Sequence, residues 1–94
     1  MDPPLNREPQ ASALRTWLAT TVRELVPEYT GTVQDATSLV GDGLGLDSIR
    51  LLELIAIIEE HSGVAIAEED ITEAHFGTVG RVLQFMIARA EALP

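Results

Sequence analysis

Three stretches of the chain repeat apolar residues at three- and four-residue steps, the spacing that gathers side chains on one face of an α-helix. The predicted inward residues are Leu14, Trp17, Leu18, Val22 and Leu25, then Leu51, Leu52, Leu54, Ile55 and Ile58, and finally Val79, Val82, Leu83, Met86 and Ile87. A helix with one apolar face must bury that face against another element. The chain is therefore predicted to be all-α, a small bundle of packed helices.

Local residues predict where these helices begin and end. Ser12 is expected to cap the first helix, and Pro27 to end it, because the residue before a proline is pushed out of the α region. The second helix is expected to run from Ser48 to Gly63, since glycine readily takes the left-handed conformation past a helix end. Thr78 is expected to cap the last helix.

The segments between these helices differ in character. Residues 28–47 form a connection rich in Gly, Thr and Asp, with Leu39, Val40, Leu44 and Leu46 expected to face inward. So long a connection in a small domain usually has a function. Residues 64–66 could form a strand, but no second strand is available to pair with them, and Glu68 to about Ala74 is predicted as a short helix. Residues 1–10 contain three prolines and are predicted to be a flexible leader before a single domain at 11–92.

Composition excludes several classes of protein. The 94 residues contain no cysteine, which excludes a disulfide scaffold, a thiolate zinc site and a cysteine nucleophile. No apolar run approaches the about 18 residues of a membrane span, and the N-terminal residues lack the pattern of a signal peptide. We expect a cytoplasmic, monomeric protein without a membrane partner.

The charge of the chain is strongly acidic and uneven. The chain contains fifteen acids and six arginines, which gives a net charge of −9. Residues 47–73 hold eight of the acids and one arginine. Such a surface repels nucleic acids and anionic membranes. It favours basic protein partners.

Two loop patterns resemble ligand-binding loops but lack essential residues. The Gly41–Gly45 segment has neither the third glycine nor the lysine of phosphate-binding loops. Asp42 and Glu53 have the spacing of the first and last ligands of a calcium loop, but Leu44 and Leu46 stand where oxygen ligands are required. Neither pattern predicts a binding site.

The titratable residues form no catalytic or metal constellation. His61 and His75 are 14 residues apart, without the spacing of a metal pair on one helix, and structural or solvated roles are expected for both. Solvated helix faces are expected for the acids Glu59, Glu60, Glu68, Glu69 and Asp70. We predict no catalytic residue and no metal site.

The segment Gly45–Ile49 is the most informative motif. In isolation it would mean only that Ser48 caps a helix. In this chain it is followed by Leu52, Glu53 and Leu54, by Glu59 and Glu60, by Gly63, Val64 and Ile66, by the acidic residues 68–70 with Ile71, and by Phe76, Thr78 and Val79. This combination resembles the signature of acyl and peptidyl carrier proteins over roughly residues 12–90.

The resemblance implies a four-helix carrier-protein bundle, with three main helices, one short helix and a long first loop. It also implies that Ser48 bears a covalent 4′-phosphopantetheine arm from coenzyme A, attached by a phosphopantetheinyl transferase, and that the chain is not itself an enzyme. A phosphodiester would suit the N-terminus of a helix. Asp47 would repel it, so we expect Asp47 to serve recognition by the modifying enzyme rather than stability.

The outer face of the second helix is the predicted docking surface. It carries Ile49, Arg50, Glu53, Ala56, Ile57 and Glu60, an apolar strip ringed by acids. The expected partners are the transferase, an acyl- or aminoacyl-loading enzyme, and downstream synthase or tailoring enzymes with basic, partly apolar grooves. The alternative is that a short helix simply leaves some aliphatic residues exposed.

Departures from the fatty-acid type bear on the pathway. Arg50 stands where fatty-acid carriers commonly have an acid, and the stretch from Ile66 to Val79 looks longer than theirs. Peptidyl carriers, however, usually have two glycines and a His or Asp before the serine. The mixture predicts a discrete carrier in polyketide or nonribosomal-peptide biosynthesis, as of antibiotics. The alternatives are a housekeeping fatty-acid carrier, an unmodified acidic adapter, and a small hydrolase, which would need a base beside Ser48.

Overall fold

The computed structural model describes the backbone of residues 7–92 and the side chains of residues 11–89. These residues form α1 (Arg7–Leu25), α2 (Ser48–Ser62), the short α3 (Glu73–Phe76) and α4 (Val79–Ala92), with a 3₁₀ turn at Glu68–Asp70. No strand occurs over this range. Helix α1 packs against α2 and α4, and α3 packs against α4. The prediction of an all-α bundle with three main helices and a short one is confirmed.

The core is almost entirely aliphatic. Its buried residues are Leu18, Val22, Val26, Leu39, Leu44, Leu46, Leu54, Ile55, Ile58, Phe76, Val79, Val82, Leu83, Phe85 and Met86. Most of the predicted stripe residues are among them or pack against them. No helix in the described part of the chain is long and apolar enough to cross a membrane.

Two residues predicted to face inward are exposed instead. Leu52 is 60% exposed because it lies about 110° around α2 from the centre of the arc formed by Leu54 and its buried neighbours. Val40 is 47% exposed because it directly precedes the turn at Gly41, while the adjacent Leu39 occupies the core. Both predictions were wrong.

Helix α1 begins earlier than its predicted cap. It starts at Arg7, and Ser12 is an interior residue whose carbonyl accepts a hydrogen bond from Thr16 Oγ1 at 3.1 Å. Pro9 does not prevent this, because the first turn of a helix needs no backbone N–H from proline. Residues 1–6 of the predicted leader lie outside the described residues, and residues 7–10 belong to α1. The predicted end before Pro27 is confirmed.

The long connection after α1 follows a defined path to the start of α2. Its backbone hydrogen bonds to the α3–α4 junction join Leu39 N to Gly77 O (3.1 Å), Val79 N to Thr37 O (2.9 Å) and Gly80 N to Asp35 O (2.8 Å). A bond from Leu46 N to Leu39 O at 2.8 Å folds the loop on itself. These contacts deliver the end of the loop to the N-terminus of α2.

The segment between α2 and α4 differs from the prediction. The short helix expected from Glu68 to about Ala74 is divided into a 3₁₀ turn and α3, because Ile71 leaves the helical conformation (ψ 79°) and packs against the core. Residues 64–66 form no strand. The N–H of Ile66 instead donates a hydrogen bond to Glu59 Oε2 at 2.8 Å, so Glu59 is not simply a solvated acid on a helix face.

Candidate functional site

The start of α2 is capped by Asp47. Asp47 has an extended backbone, and its Oδ1 accepts the N–H of Arg50 at 2.8 Å, while its carbonyl accepts the N–H of Leu51 at 2.9 Å. Caps of this kind contribute about 1 kcal/mol. Ser48 is therefore not the cap, and the expectation that Asp47 does not serve stability was wrong, while its role in recognition by the modifying enzyme stays a prediction.

Ser48 is the first residue of α2, and it is exposed. Within the described part of the chain, its hydroxyl makes no hydrogen bond, and the backbone N–H groups of Ser48 and Ile49 have no acceptor. Unpaired N–H groups and the helix dipole both favour negative charge at this end of a helix. A phosphate ester on the Ser48 hydroxyl therefore fits the local geometry.

Gly45 gives the motif its shape. It has φ +67°, and it lies between Leu44 and Leu46, which are both buried. A left-handed conformation costs residues other than glycine about 1–2 kcal/mol. This bend lets two neighbouring leucines anchor in the core while Asp47 and Ser48 emerge at the surface.

The exposed face of α2 carries a stripe that we call the apolar stripe, formed by Ile49, Leu52 and Ala56. These residues are spaced i, i+3 and i+7, and all three are exposed, Ile49 by 69% and Leu52 by 60%. Glu53 and Glu60 are exposed on the same face. Leu52 was missed as a surface residue, although its three-residue step from Ile49 could have identified it.

Arg50 and Ile57 lie at the edge of this face and are only half-buried rather than fully exposed. Arg50 Nη1 pairs with Glu28 Oε2 at 2.7 Å, which ties α2 to the chain just after α1. Hydrogen bonding to Glu28 raises the pKa of Arg50, and the pKa of Glu28 is lowered first by its own backbone N–H and then by Arg50. Arg50 was expected to project freely towards a partner, but the pair with Glu28 holds it against its own chain.

Both histidines make packing contacts away from Ser48. The His61 ring stacks on Trp17 with centroids 3.9 Å apart, at the opposite end of α2. Nδ1 of His75 lies 2.9 Å from the carbonyl of Asp70. Among the described residues, no side chain is hydrogen-bonded to the Ser48 hydroxyl, so the paired base that the hydrolase alternative requires is not seen, and no group of three metal-ligating side chains occurs.

One of the comparisons with known proteins identifies a family. A family model described as a phosphopantetheine attachment site matches residues 17–86, from Trp17 in α1 to Met86 in α4. No curated protein and no solved structure matches the chain. The family model covers most of the domain, including the whole of α2 and the loop before it. The chain belongs to the phosphopantetheine-attachment family, whose domain carries a covalently bound 4′-phosphopantetheine group.

Proposed function

We propose that this chain is a discrete carrier protein that holds acyl or aminoacyl intermediates as thioesters on an arm attached to Ser48. Family membership gives the carrier role. The observation that supports Ser48 is its placement: an exposed hydroxyl at the first position of α2, directly after the N-cap residue. The arm supplies the thiol on which the intermediate is carried.

The chain's own residues hold and orient the attachment point. Asp47 fixes the first turn of α2 through the N–H of Arg50, and the N–H groups of Ser48 and Ile49 remain available to phosphate oxygens. The sequence has no cysteine, so no internal thiol competes for the thioester. These features favour a carrier that presents its cargo without reacting with it.

Partner enzymes are proposed to dock on the exposed face of α2. The apolar stripe with Glu53 and Glu60 offers both apolar contact and negative charge, and it begins one residue after Ser48. A transferase, a loading enzyme and a downstream synthase or tailoring enzyme must each reach this end of the molecule. A basic groove with an apolar floor complements such a surface.

We infer that the pathway is polyketide or nonribosomal-peptide biosynthesis rather than housekeeping fatty-acid synthesis. The support comes from Arg50, which stands where fatty-acid carriers commonly have an acid, and from the long stretch between Ile66 and Val79. In the structure this stretch holds both a 3₁₀ turn and α3. A housekeeping fatty-acid carrier remains the second candidate.

Intact-mass analysis of protein purified from its native host tests this proposal. We expect one phosphopantetheine arm bearing an acyl or aminoacyl group, with hydroxylamine releasing that group and leaving the arm. A saturated or 3-hydroxylated fatty chain would favour the housekeeping alternative. Protein that is unmodified in the host, and that stays unmodified after incubation with coenzyme A, Mg²⁺ and a transferase, would favour the alternative of an unmodified acidic adapter.

A further inference from the structure

A cavity of about 200 Å³ lies at the end of the bundle opposite Ser48. It lies between α1, the C-terminal halves of α2 and α4, and the segment after α2, and it is open on one side. Its apolar walls are Leu14, Ile58, Val64, Ile66, Phe85 and Met86, and its polar residues are His61, Ser62 and Arg89. His61 and Ser62 are exposed, which places the opening at the C-terminal end of α2.

Arg89 is the unusual residue of this cavity. Its Nη2 donates to the carbonyl of Ala65 at 3.2 Å, and its guanidinium lies 5.6 Å from the centre of the Phe85 ring. Its Nε is buried without a hydrogen-bond acceptor among the described residues. Within the same part of the chain Arg89 also has no carboxylate partner, whereas Arg81 on the same helix pairs with Glu73.

A guanidinium that has no carboxylate partner among the described residues and lies beside an apolar cavity selects for an anion with an apolar tail, because a charge-assisted hydrogen bond adds to its contact with the Ala65 carbonyl while the tail displaces water. A cavity of about 150 Å³ accommodates benzene. A cavity of 200 Å³ therefore suits a chain of about six carbons.

We propose that this cavity is a second, non-covalent site that binds a free short-chain aliphatic carboxylate. The carboxylate lies on Arg89, and the chain lies between Ile58, Phe85 and Met86. Ser48 and Ser62 mark opposite ends of α2, about 21 Å apart along its axis. The site is thus separate from the attachment point and needs no arm.

The protein contains its own reporter of this site. Trp17 is the one tryptophan of the chain, and it stacks on His61, a residue of the cavity wall. Unmodified protein is titrated with sodium hexanoate and, separately, with 1-hexanol, while Trp17 fluorescence and the methyl NMR signals of Ile58, Val64 and Met86 are recorded. We expect saturable binding of hexanoate that is tighter than that of hexanol.

The Arg89→Gln variant tests the role assigned to the guanidinium. It should weaken hexanoate binding by about tenfold and remove the preference over hexanol. Arg81→Gln, the matched change on the same helix, should keep the affinity within about twofold. Ser48→Ala should bind hexanoate as the wild type does, which separates this proposal from the carrier function.

Three results would overturn the proposal: no saturable response to hexanoate, an unchanged preference for hexanoate in Arg89→Gln, or loss of binding in Ser48→Ala. If Arg89→Gln does not fold, Val64→Phe provides the second test, because the larger side chain fills the cavity. Val64→Phe should abolish the methyl shifts at Ile58 and Met86. Shifts that persist in this variant would place hexanoate elsewhere.

Discussion

The carboxylate of Asp47 is predicted to have two separate roles beside the attachment serine. It caps α2 through the N–H of Arg50, and it also presents a negative charge next to an exposed hydroxyl. A cap needs only a side-chain oxygen, whereas an enzyme that reads charge needs the anion. Asparagine supplies the side-chain oxygen without the negative charge, so the capping role and the recognition role can be separated by substitution.

Asp47→Ala should destabilise the protein by about 1 kcal/mol, lowering the melting temperature by about 4–8 °C. Asp47→Asn should melt like the wild type, because asparagine caps helices as well as aspartate does, yet it should accept the arm more slowly. Thermal unfolding and initial rates of arm attachment measure the two effects. Attachment to Asp47→Asn at the wild-type rate would leave Asp47 with the capping role alone.

At the scale of the element, α2 has two functional sides. Leu54, Ile55 and Ile58 pack into the core, and the apolar stripe with Glu53 and Glu60 faces outward. A substitution on the outer side should therefore change partner binding without changing stability. The edge between the two sides is held by the Arg50–Glu28 pair.

Glu53→Lys should leave the free energy of unfolding within about 0.5 kcal/mol, because Glu53 is exposed, but it should weaken docking to a basic groove. Glu24→Lys, an exposed position on α1 with the same charge change, serves as the control. Binding to the loading enzyme and thermal unfolding are measured for both. Equal binding losses in the two variants would point to net charge rather than to this face.

Arg50→Glu should impair loading of cargo while leaving attachment of the arm almost unchanged. Because Arg50 is paired with Glu28, the double variant Glu28→Arg with Arg50→Glu should restore loading by re-forming the pair in reverse. In the wild type the pKa of Glu28 is lowered from its ordinary value of 4.5. The contribution of the pair to stability should therefore be complete above pH 4.5 and be lost as the pH falls through the lowered pKa. Failure of the double variant to restore loading would make Arg50 a direct partner contact.

Local chemistry explains which features of these elements could be predicted. Helix α2 begins at Ser48 and ends before Gly63, as expected. Both ends depend on adjacent residues, the cap at Asp47 and the left-handed glycine at position 63 (φ 73°). The start of α1 was missed because Pro9 is harmless in a first turn. The Arg50–Glu28 pair and the Trp17–His61 stack join residues far apart in sequence, and no local pattern encodes them.

At the scale of the whole molecule, the five arginines whose side chains the structure describes all bond within the chain. Their intramolecular partners are Asp35 for Arg15, the Gly31 carbonyl for Arg23, Glu28 for Arg50, Glu73 for Arg81 and the Ala65 carbonyl for Arg89. Four of them join a helix to a connecting segment, and Arg81 joins α4 to α3. Of the eight acids of residues 47–73, only Glu73 forms an ion pair among the described residues, so this part of the chain keeps a strongly negative charge.

Association with the transferase and the loading enzyme should accordingly slow as salt rises to physiological levels, where the Debye length is about 8 Å. The melting temperature should change little over the same range, because exposed pairs such as Arg15–Asp35 contribute little to stability. Stopped-flow association at several salt concentrations measures the effect. Rates independent of salt would indicate docking through the apolar stripe alone.

Attachment of the arm to Ser48 is most directly tested by intact-mass analysis of three proteins after incubation with coenzyme A, Mg²⁺ and a broad-specificity phosphopantetheinyl transferase. The proteins are the wild type, Ser48→Ala and Ser62→Ala, the last changing the exposed serine at the other end of α2. The wild type and Ser62→Ala should each gain one phosphopantetheine. Ser48→Ala should gain none while staying within about 0.5 kcal/mol of wild-type stability, because Asp47 is the cap. A phosphopantetheine gained by folded Ser48→Ala, or a wild type that stays unmodified, would contradict the assignment.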